Sequence, residues 1–181
     1  MADAALRLTA AMESGGYSFA VIGGLAVIIR GYDRFTRDID AVVWDADERL
    51  EHLIQHLSKH GLTLRESDGL SFARRYRVIL LQTPREYQVD VSMGLVPFER
   101  EVIDRSSLEK LGESVQIPVA NAEDLIIMKL IASRDRDIDD VRRLLELYPD
   151  VEHGRIRRIV SEYAEVLDQP EIVSQMSQLL K

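Results

Sequence analysis

Residues 21–43 read VIGGLAVIIRGYDRFTRDIDAVV. The apolar run up to Ile22 is typical of a buried strand and the run over 25–30 of an apolar helix, with Gly23 and Gly24 between them. Glycine lets the backbone approach a ligand closely, and the N-terminus of a helix attracts phosphate. The stretch therefore predicts a strand–helix turn whose backbone amides can hold phosphate groups.

Two aspartates, Asp38 and Asp40, begin the strand that is predicted over 39–44. Side chains two residues apart on a strand point to the same face, so both carboxylates face away from the core into which Ile39 points. Neighbouring carboxylates repel each other unless a cation lies between them. Hard oxygen ligands without cysteine or a nearby histidine favour Mg²⁺ or Mn²⁺ over zinc. Asp38 and Asp40 are therefore candidate ligands of a divalent cation.

A third candidate ligand, Asp90, lies in a run of β-branched and aromatic residues over 87–93. Val89 and Val91 flank it and point to the opposite face of the predicted strand. Aspartate is depleted within strands, so its presence needs a physical reason, and a third carboxylate beside the first two would complete a two-metal site. Each feature alone has an ordinary explanation: a turn, a solvated strand end, a hydrogen-bonded edge residue. Their occurrence together and in this order favours a functional site.

The composition excludes several classes of chemistry and of partner. The chain has 181 residues and a formal net charge of −8, and it contains no cysteine. Disulfides, thiolate metal sites and cysteine nucleophiles are therefore excluded, and nonspecific coating of nucleic acid is disfavoured. No apolar run approaches the ~20 residues that cross a bilayer, and the N-terminus lacks a signal pattern. We therefore expect a cytoplasmic protein without a membrane segment.

The organisation of the chain predicts an α+β fold: a mixed β-sheet core flanked by helices over 1–120, and a helical region packed on that core over 121–181. Segments suited to antiparallel hairpins follow the early strand–helix turn, which argues against a doubly wound parallel sheet. The G-x-G-x-x-G and P-loop patterns are both missing. We expect further strands at 62–66, 72–81, 87–93 and 114–119, and helices at 3–13, 48–60, 121–134, 137–147, 152–166 and 170–180.

One ordered set of residues resembles the active-site signature of the DNA polymerase β-like nucleotidyltransferase superfamily: Gly23-Gly24, then Asp38-x-Asp40, then Asp90. The sequence over 31–40 and the helix pair over 123–141 resemble those of a narrower branch of this superfamily. That branch contains the nucleotidyltransferase toxins of the AbiEii/AbiGii type and related small nucleotidyltransferases. The resemblance implies a mixed-sheet nucleotidyltransferase core and a metal-dependent enzyme.

The resemblance also implies a role for each matching residue. Asp38 and Asp40 would hold the metal that bridges the phosphates of the nucleotide, and Asp90 would join a second metal and act as base toward the acceptor hydroxyl. Gly23 and Gly24 would hold the triphosphate through their backbone amides. Many members of the superfamily have Gly-Ser where this chain has Gly-Gly. The chain therefore lacks one hydroxyl that would help to bind the phosphates.

Four further residues are candidate nucleotide contacts. Arg34, Thr36 and Arg37 precede the aspartate pair and are suited to touch phosphate or acceptor, or else lie in a solvated loop. Lys129 lies in an apolar helix, where a cation needs a partner or a path to solvent, and the resemblance implies a phosphate contact for it. The acidic residues over 137–140 cap or solvate the next helix, or else support Lys129.

The implied reaction is transfer of a nucleoside monophosphate from an NTP, such as ATP, to an acceptor hydroxyl, with release of pyrophosphate. The toxin-like branch favours a tRNA end or a protein as the acceptor, and a cognate antitoxin as a possible partner. The basic segments 74–77 and 155–158 are candidate RNA contacts. Two alternatives stay open: modification of an antibiotic or another small molecule, and a non-catalytic nucleotide-binding module of the same fold.

Overall fold

The computed structural model of the protein describes residues 1–112 and 115–180. The chain forms two compact units. The first consists of Met1–Ile29 with Arg34–Ala120, and the second of Arg30–Asp33 with Asn121–Lys181. Over the described ranges, no helix is long and apolar enough to cross a membrane.

The first unit is built around a mixed β-sheet. Its strands lie in the order β3-β4-β5-β2-β1-β7-β6. The pairs β1–β7 and β2–β5 are parallel and the other pairs are antiparallel, which confirms the predicted α+β class and mixed sheet. The strands are β1 (Phe19–Ile22), β2 (Asp38–Val43), β3 (Thr63–Leu64), β4 (Val78–Gln82), β5 (Gln88–Met93), β6 (Ser107–Leu111) and β7 (Val115–Val119).

Five helices accompany this sheet in the described part of the first unit. They are α1 (Ala2–Gly15), α2 (Gly23–Ile29), α3 (Leu50–Lys59), α4 (Gly69–Tyr76) and α5 (Pro97–Asp104), with a short 3₁₀ helix at Asp47–Arg49. All four residues of β1 are buried, and β2 is buried over its last three residues. The core therefore lies under the middle of the sheet, and the start of β2 is left partly open to solvent.

The strand predicted over 72–81 is wrong in its first half, which forms helix α4. Phe72 and Tyr76 are four residues apart, a spacing that also fits one helical turn, and their tilted rings lie with centroids 4.6 Å apart. Arg77 ends the helix with a left-handed backbone (φ 59°), and its guanidinium binds the Asp47 carboxylate through both nitrogens. Only Val78–Gln82 is extended.

Two elements of the first unit are not expected from the sequence. Helix α5 begins at Pro97, and Glu99 accepts hydrogen bonds from the backbone of Leu95 and Val96. Strand β6 follows and pairs with β7. The last predicted strand, 114–119, is present from Val115, and Ser114 lies outside the described residues.

The second unit is helical, as predicted for this part of the chain. Its helices are α6 (Ala122–Ala132), α7 (Asp135–Leu147), α8 (His153–Val166) and α9 (Glu171–Leu179). The Asn121 side chain caps α6 by accepting a hydrogen bond from the Asp124 amide. The Tyr148 hydroxyl donates to the Arg30 carbonyl at 3.0 Å, which ties the segment Arg30–Asp33 to the end of α7.

Candidate active site

Gly23 lies against the second of the paired aspartates. Strands β1 and β2 are antiparallel, with Ile22 opposite Asp40, so the next residue reaches the carboxylate. Gly23 has φ +65°, and a Cβ built on it would collide with Asp40 Oδ2. Both its backbone angle and its surroundings therefore require glycine.

Gly24 lies against the loop that leads into β2. A Cβ on Gly24 would be 2.7 Å from Thr36 Oγ1 and 2.8 Å from Arg34 Nη2. The buried Thr36 hydroxyl donates to Asp38 Oδ1 at 2.9 Å, and the Arg37 amide donates to the same oxygen at 3.2 Å. The structure thus brings the Thr36 hydroxyl and the Arg37 amide to Asp38, whereas the Arg37 guanidinium lies over the Phe35 ring, 5.6 Å from its centroid. The hydroxyl and the amide fix the orientation of the Asp38 carboxylate.

The third predicted carboxylate is on the adjacent strand. Strands β2 and β5 are parallel, and the register pairs Asp40 with Asp90 and Asp38 with Gln88. Neighbouring strands lie ~4.8 Å apart in a sheet. Burial alternates along β5, with Val89 fully buried and Asp90 half-buried. Asp38, Asp40 and Asp90 therefore share one region at the start of two parallel strands.

Arg65, which the sequence analysis did not identify, contacts the third carboxylate. It follows β3, its Nη2 donates to Asp90 Oδ1 at 2.5 Å, and its side chain is only 15% exposed. Its backbone amide donates to the Leu80 carbonyl, which anchors it beside β4. No local motif marks this arginine, because it reaches Asp90 only through the pairing of β3 with β4 and of β4 with β5.

The environment of Asp90 disfavours its charged form. Burial raises the pKa of the Asp90 carboxyl above its ordinary value; the nearby Arg65 guanidinium opposes this, and the negative charge of Asp38 adds to it. One arginine therefore does not fully balance this carboxylate. A further cation would favour ionisation of Asp90.

The donor set fits a hard divalent cation. Three carboxylates on adjacent strands and no sulfur ligand are the chemistry that Mg²⁺ and Mn²⁺ prefer. Over residues 1–112 and 115–180, however, no three acidic or histidine side chains already stand as a ready group of metal ligands. The contact of Asp90 with Arg65 accounts for one of its oxygens. Full coordination would therefore need side-chain adjustment at Asp90.

Lys129 lies in the second unit, where its ammonium is buried between two acids. It donates to Asp137 Oδ1 at 2.7 Å and is 2.9 Å from Asp140 Oδ2. Burial opposes ionisation of Asp137, but hydrogen bonds from Arg134 and Lys129 outweigh it and hold the pKa of the carboxyl below its ordinary value. Support of Lys129 by the acidic residues over 137–140 was one of the two alternatives for that cluster. The phosphate contact of Lys129 stays a prediction.

The two basic segments form a weaker cationic surface than their sequences suggest. Arg74 and Arg77 are ion-paired with Glu51 and Asp47. Arg155 is only 7% exposed and contacts two acids on α6, Glu123 and Asp124. Arg158 is paired with Glu162, so four of the six arginines in these segments form ion pairs with acidic side chains of their own unit.

Comparison with solved structures shows the same architecture in nucleotidyltransferases. The antibiotic-resistance factor ANT(2'')-Ia is 15% identical, and the match covers 91% of each chain with a TM-score of 0.61. An antigenic nucleotidyltransferase-like protein from Paracoccidioides brasiliensis is 15% identical over 99% of this chain and 94% of its own, with a TM-score of 0.56. A comparison with curated proteins gave no match. At these identities the likeness establishes the fold.

A family model adds the class of protein to this fold. This family model, described as nucleotidyltransferase of unknown function, DUF6036, matches residues 2–178. The chain belongs to this family.

Proposed function

We propose that the protein transfers a nucleoside monophosphate from an NTP to an acceptor hydroxyl in a metal-dependent reaction that releases pyrophosphate. The observation that carries this proposal is the alignment of three neighbouring strands. Gly23, which directly follows β1 and begins α2, packs on Asp40 of β2, and Asp40 is in register with Asp90 of β5. Phosphate-binding amides and carboxylates thus lie side by side.

Each residue of this alignment has a separate task. Gly23 and Gly24 bind the phosphates through backbone amides, with Arg34 and Arg37 as further phosphate contacts. Asp38 and Asp40 would hold Mg²⁺ or Mn²⁺, which when bound would neutralise phosphate charge and polarise the reacting oxygens. The Thr36 hydroxyl keeps the Asp38 carboxylate in place.

The order of the strands assigns the acceptor to one side. In-line transfer places the entering and leaving oxygens on opposite sides of the phosphorus. If the leaving phosphates lie by Gly23 and Gly24 after β1, the acceptor hydroxyl lies toward β5 and Asp90. The raised pKa of Asp90 suits a base that takes the hydroxyl proton, and Arg65 holds its carboxylate for this step.

We favour a toxin-like acceptor, a tRNA end or a protein, in a cytoplasmic enzyme that uses an NTP such as ATP. The resemblance of the text over 31–40 and 123–141 supports this choice, and a cognate antitoxin would be the matching partner. Lys129 would then contact phosphate. A small-molecule acceptor is the second candidate, because the ion pairs of Arg74, Arg77 and Arg155 leave little surface for a long RNA.

The deciding experiment measures magnesium-dependent transfer from each of the four α-³²P NTPs. Acceptors are total tRNA, soluble protein, and a panel of aminoglycosides and lincosamides. We expect label on tRNA or protein, and none with the D38A/D40A double variant. Label on a small molecule alone would identify the second candidate. No label on any acceptor, together with Mg²⁺-dependent NTP binding, would indicate a non-catalytic module.

The Asp38→Asn variant tests whether Asp38 is a metal ligand or only stabilises the fold. The amide oxygen can still accept from Thr36, but the charge is lost. We expect transfer to fall at least about a hundredfold, because even supporting residues of metal sites cost 10–100-fold. The melting temperature in EDTA should stay the same or rise, since repulsion with Asp90 is removed. A lower melting temperature with full activity would contradict the assignment.

A further inference from the structure

Three of the four histidines of the chain lie along one face of α3. His52, His56 and His60 are spaced four residues apart, and His60 is the C-terminal cap of the helix. The ring centroids are 5.4 Å apart for the first pair and 5.9 Å apart for the second. The proposed transfer reaction uses none of these rings.

Two of these imidazoles point at the same atom. Nε2 of His56 and Nε2 of His60 are each 3.2 Å from Ser14 Oγ, at the end of α1. The Ser14 hydroxyl donates its single proton to the Ala10 carbonyl at 2.6 Å. The oxygen must therefore accept from the imidazoles, so both rings carry their hydrogen on Nε2 in this arrangement.

The third histidine is held differently. His52 Nδ1 is hydrogen-bonded to the Tyr17 hydroxyl at 2.8 Å. The Arg49 guanidinium lies over the Tyr17 ring, 4.3 Å from its centroid. His52 is thus fixed toward Tyr17, whereas His56 and His60 converge on Ser14.

From this convergence we propose that His56 and His60 form a binding site for a transition-metal cation, with Zn²⁺ as its reference ligand. Histidines at i and i+4 on a helix present their nitrogens to one metal ion, and imidazole suits Zn²⁺, Cu²⁺ and Ni²⁺ rather than Mg²⁺. Over the described residues no group of three acidic or histidine ligands is present. The ion is therefore held by two nitrogens, with water completing its coordination.

The protons balance without an added base. When the metal takes Nε2, each neutral ring moves its hydrogen to Nδ1, so no proton is released. The site is separate from the carboxylates of β2 and β5, so it does not depend on the proposed transfer reaction.

The test is calorimetric titration of the full chain with Zn²⁺ at pH 7.5, with Mg²⁺ in excess to occupy carboxylate sites. We expect one Zn²⁺ per chain and a rise in melting temperature with Zn²⁺ concentration. His56→Gln and His60→Gln should each weaken binding at least about tenfold. His52→Gln and His153→Gln are matched controls on the same helix and in the other unit, and should leave affinity unchanged.

A Ser14→Ala variant keeps both nitrogens and removes the oxygen between them. We expect it to bind Zn²⁺ as well as the parent, because no hydrogen bond to the hydroxyl must be broken. As a spectroscopic check, Cu²⁺ bound to the parent should show two equivalent nitrogens by electron paramagnetic resonance, and one in His60→Gln. Absent binding, or equal loss in the His153→Gln control, would overturn the proposal.

Discussion

At the scale of single residues, the contact between Gly23 and Asp40 allows only glycine at position 23. We expect Gly23→Ala to abolish transfer and to destabilise the fold, because its φ is +65° and its new Cβ would displace the Asp40 carboxylate. A left-handed backbone alone costs a non-glycine residue about 1–2 kcal/mol. Urea unfolding should show a larger loss than this, and activity should be undetectable.

Gly16→Ala is the matched control for this substitution. Gly16 has nearly the same angle, φ +67°, but a Cβ added there would meet nothing within 4 Å. It should cost only the backbone strain and leave transfer intact. If both variants lose the same stability and keep their activity, the contact between Gly23 and Asp40 is not needed for function.

The residues of this site were predictable from the sequence to different degrees. Asp38, Asp40 and Asp90 stand out because acids are unexpected among β-branched residues, and their period of two sets the face. Arg65 could not be predicted, since its contact with Asp90 depends on strand pairing across three elements. The sequence shows the acids over 137–140, but it allows two interpretations of them, and an ion pair with Lys129 is only one.

At the scale of secondary-structure elements, Lys129 joins α6 to α7 through Asp137 and Asp140. We expect Lys129→Met to lower the free energy of unfolding by up to about 3–5 kcal/mol, because it removes the ammonium from the buried Asp140 and leaves Asp137 with Arg134 alone. Urea denaturation followed by circular dichroism measures this loss.

Arg142→Met is the control for that substitution. Arg142 forms an exposed pair with Asp139 on the same helix, and such pairs contribute about 0–1 kcal/mol. A loss for Lys129→Met no greater than for Arg142→Met would mean that the buried pairs do not hold the helices together. Unchanged stability with weaker NTP binding would instead favour the phosphate contact.

The elements show where patterns of hydrophobicity decide a structure and where they do not. The helices after residue 121 were predictable because their apolar residues repeat with a helical period and prolines separate them. Helix α4 was mistaken for a strand because it is only eight residues long, and its Phe72–Tyr76 pair fits either period. Such short segments take their form from tertiary contacts, here the anchoring of Arg77 by Asp47.

At the scale of the whole molecule, the two units should respond differently to acid. Asp137 has a lowered pKa, so the stability it contributes is present above about pH 4 and is lost as the pH falls through its folded-state pKa. Asp90 has a raised pKa, so protonation on acidification relieves an unfavourable charge in the first unit. Asp3, Asp47 and Glu51 of the first unit also have a lowered pKa, but their ion pairs are exposed and screened by solvent, so we expect the helical unit to unfold first.

Trp44, the single tryptophan, reports on the first unit, and far-ultraviolet circular dichroism reports on all helices. Between about pH 5 and about pH 2 we expect helical signal to fall before tryptophan emission changes, with the transition in Lys129→Met at higher pH than in the parent. Coincident transitions by both probes would show that the molecule unfolds as one cooperative body.

The segment Arg30–Asp33 belongs to the second unit, whose other residues begin at Asn121. On the ribosome, synthesis proceeds at about 5–20 residues per second. The Arg30 carbonyl therefore emerges many seconds before the Tyr148 hydroxyl that binds it exists. A nascent chain can form the sheet early, but the segment Arg30–Asp33 stays without its contact to Tyr148 until that residue has been synthesised. Slow codons between these positions would lengthen that wait, and the timing of translation would then bear on how faithfully the enzyme matures.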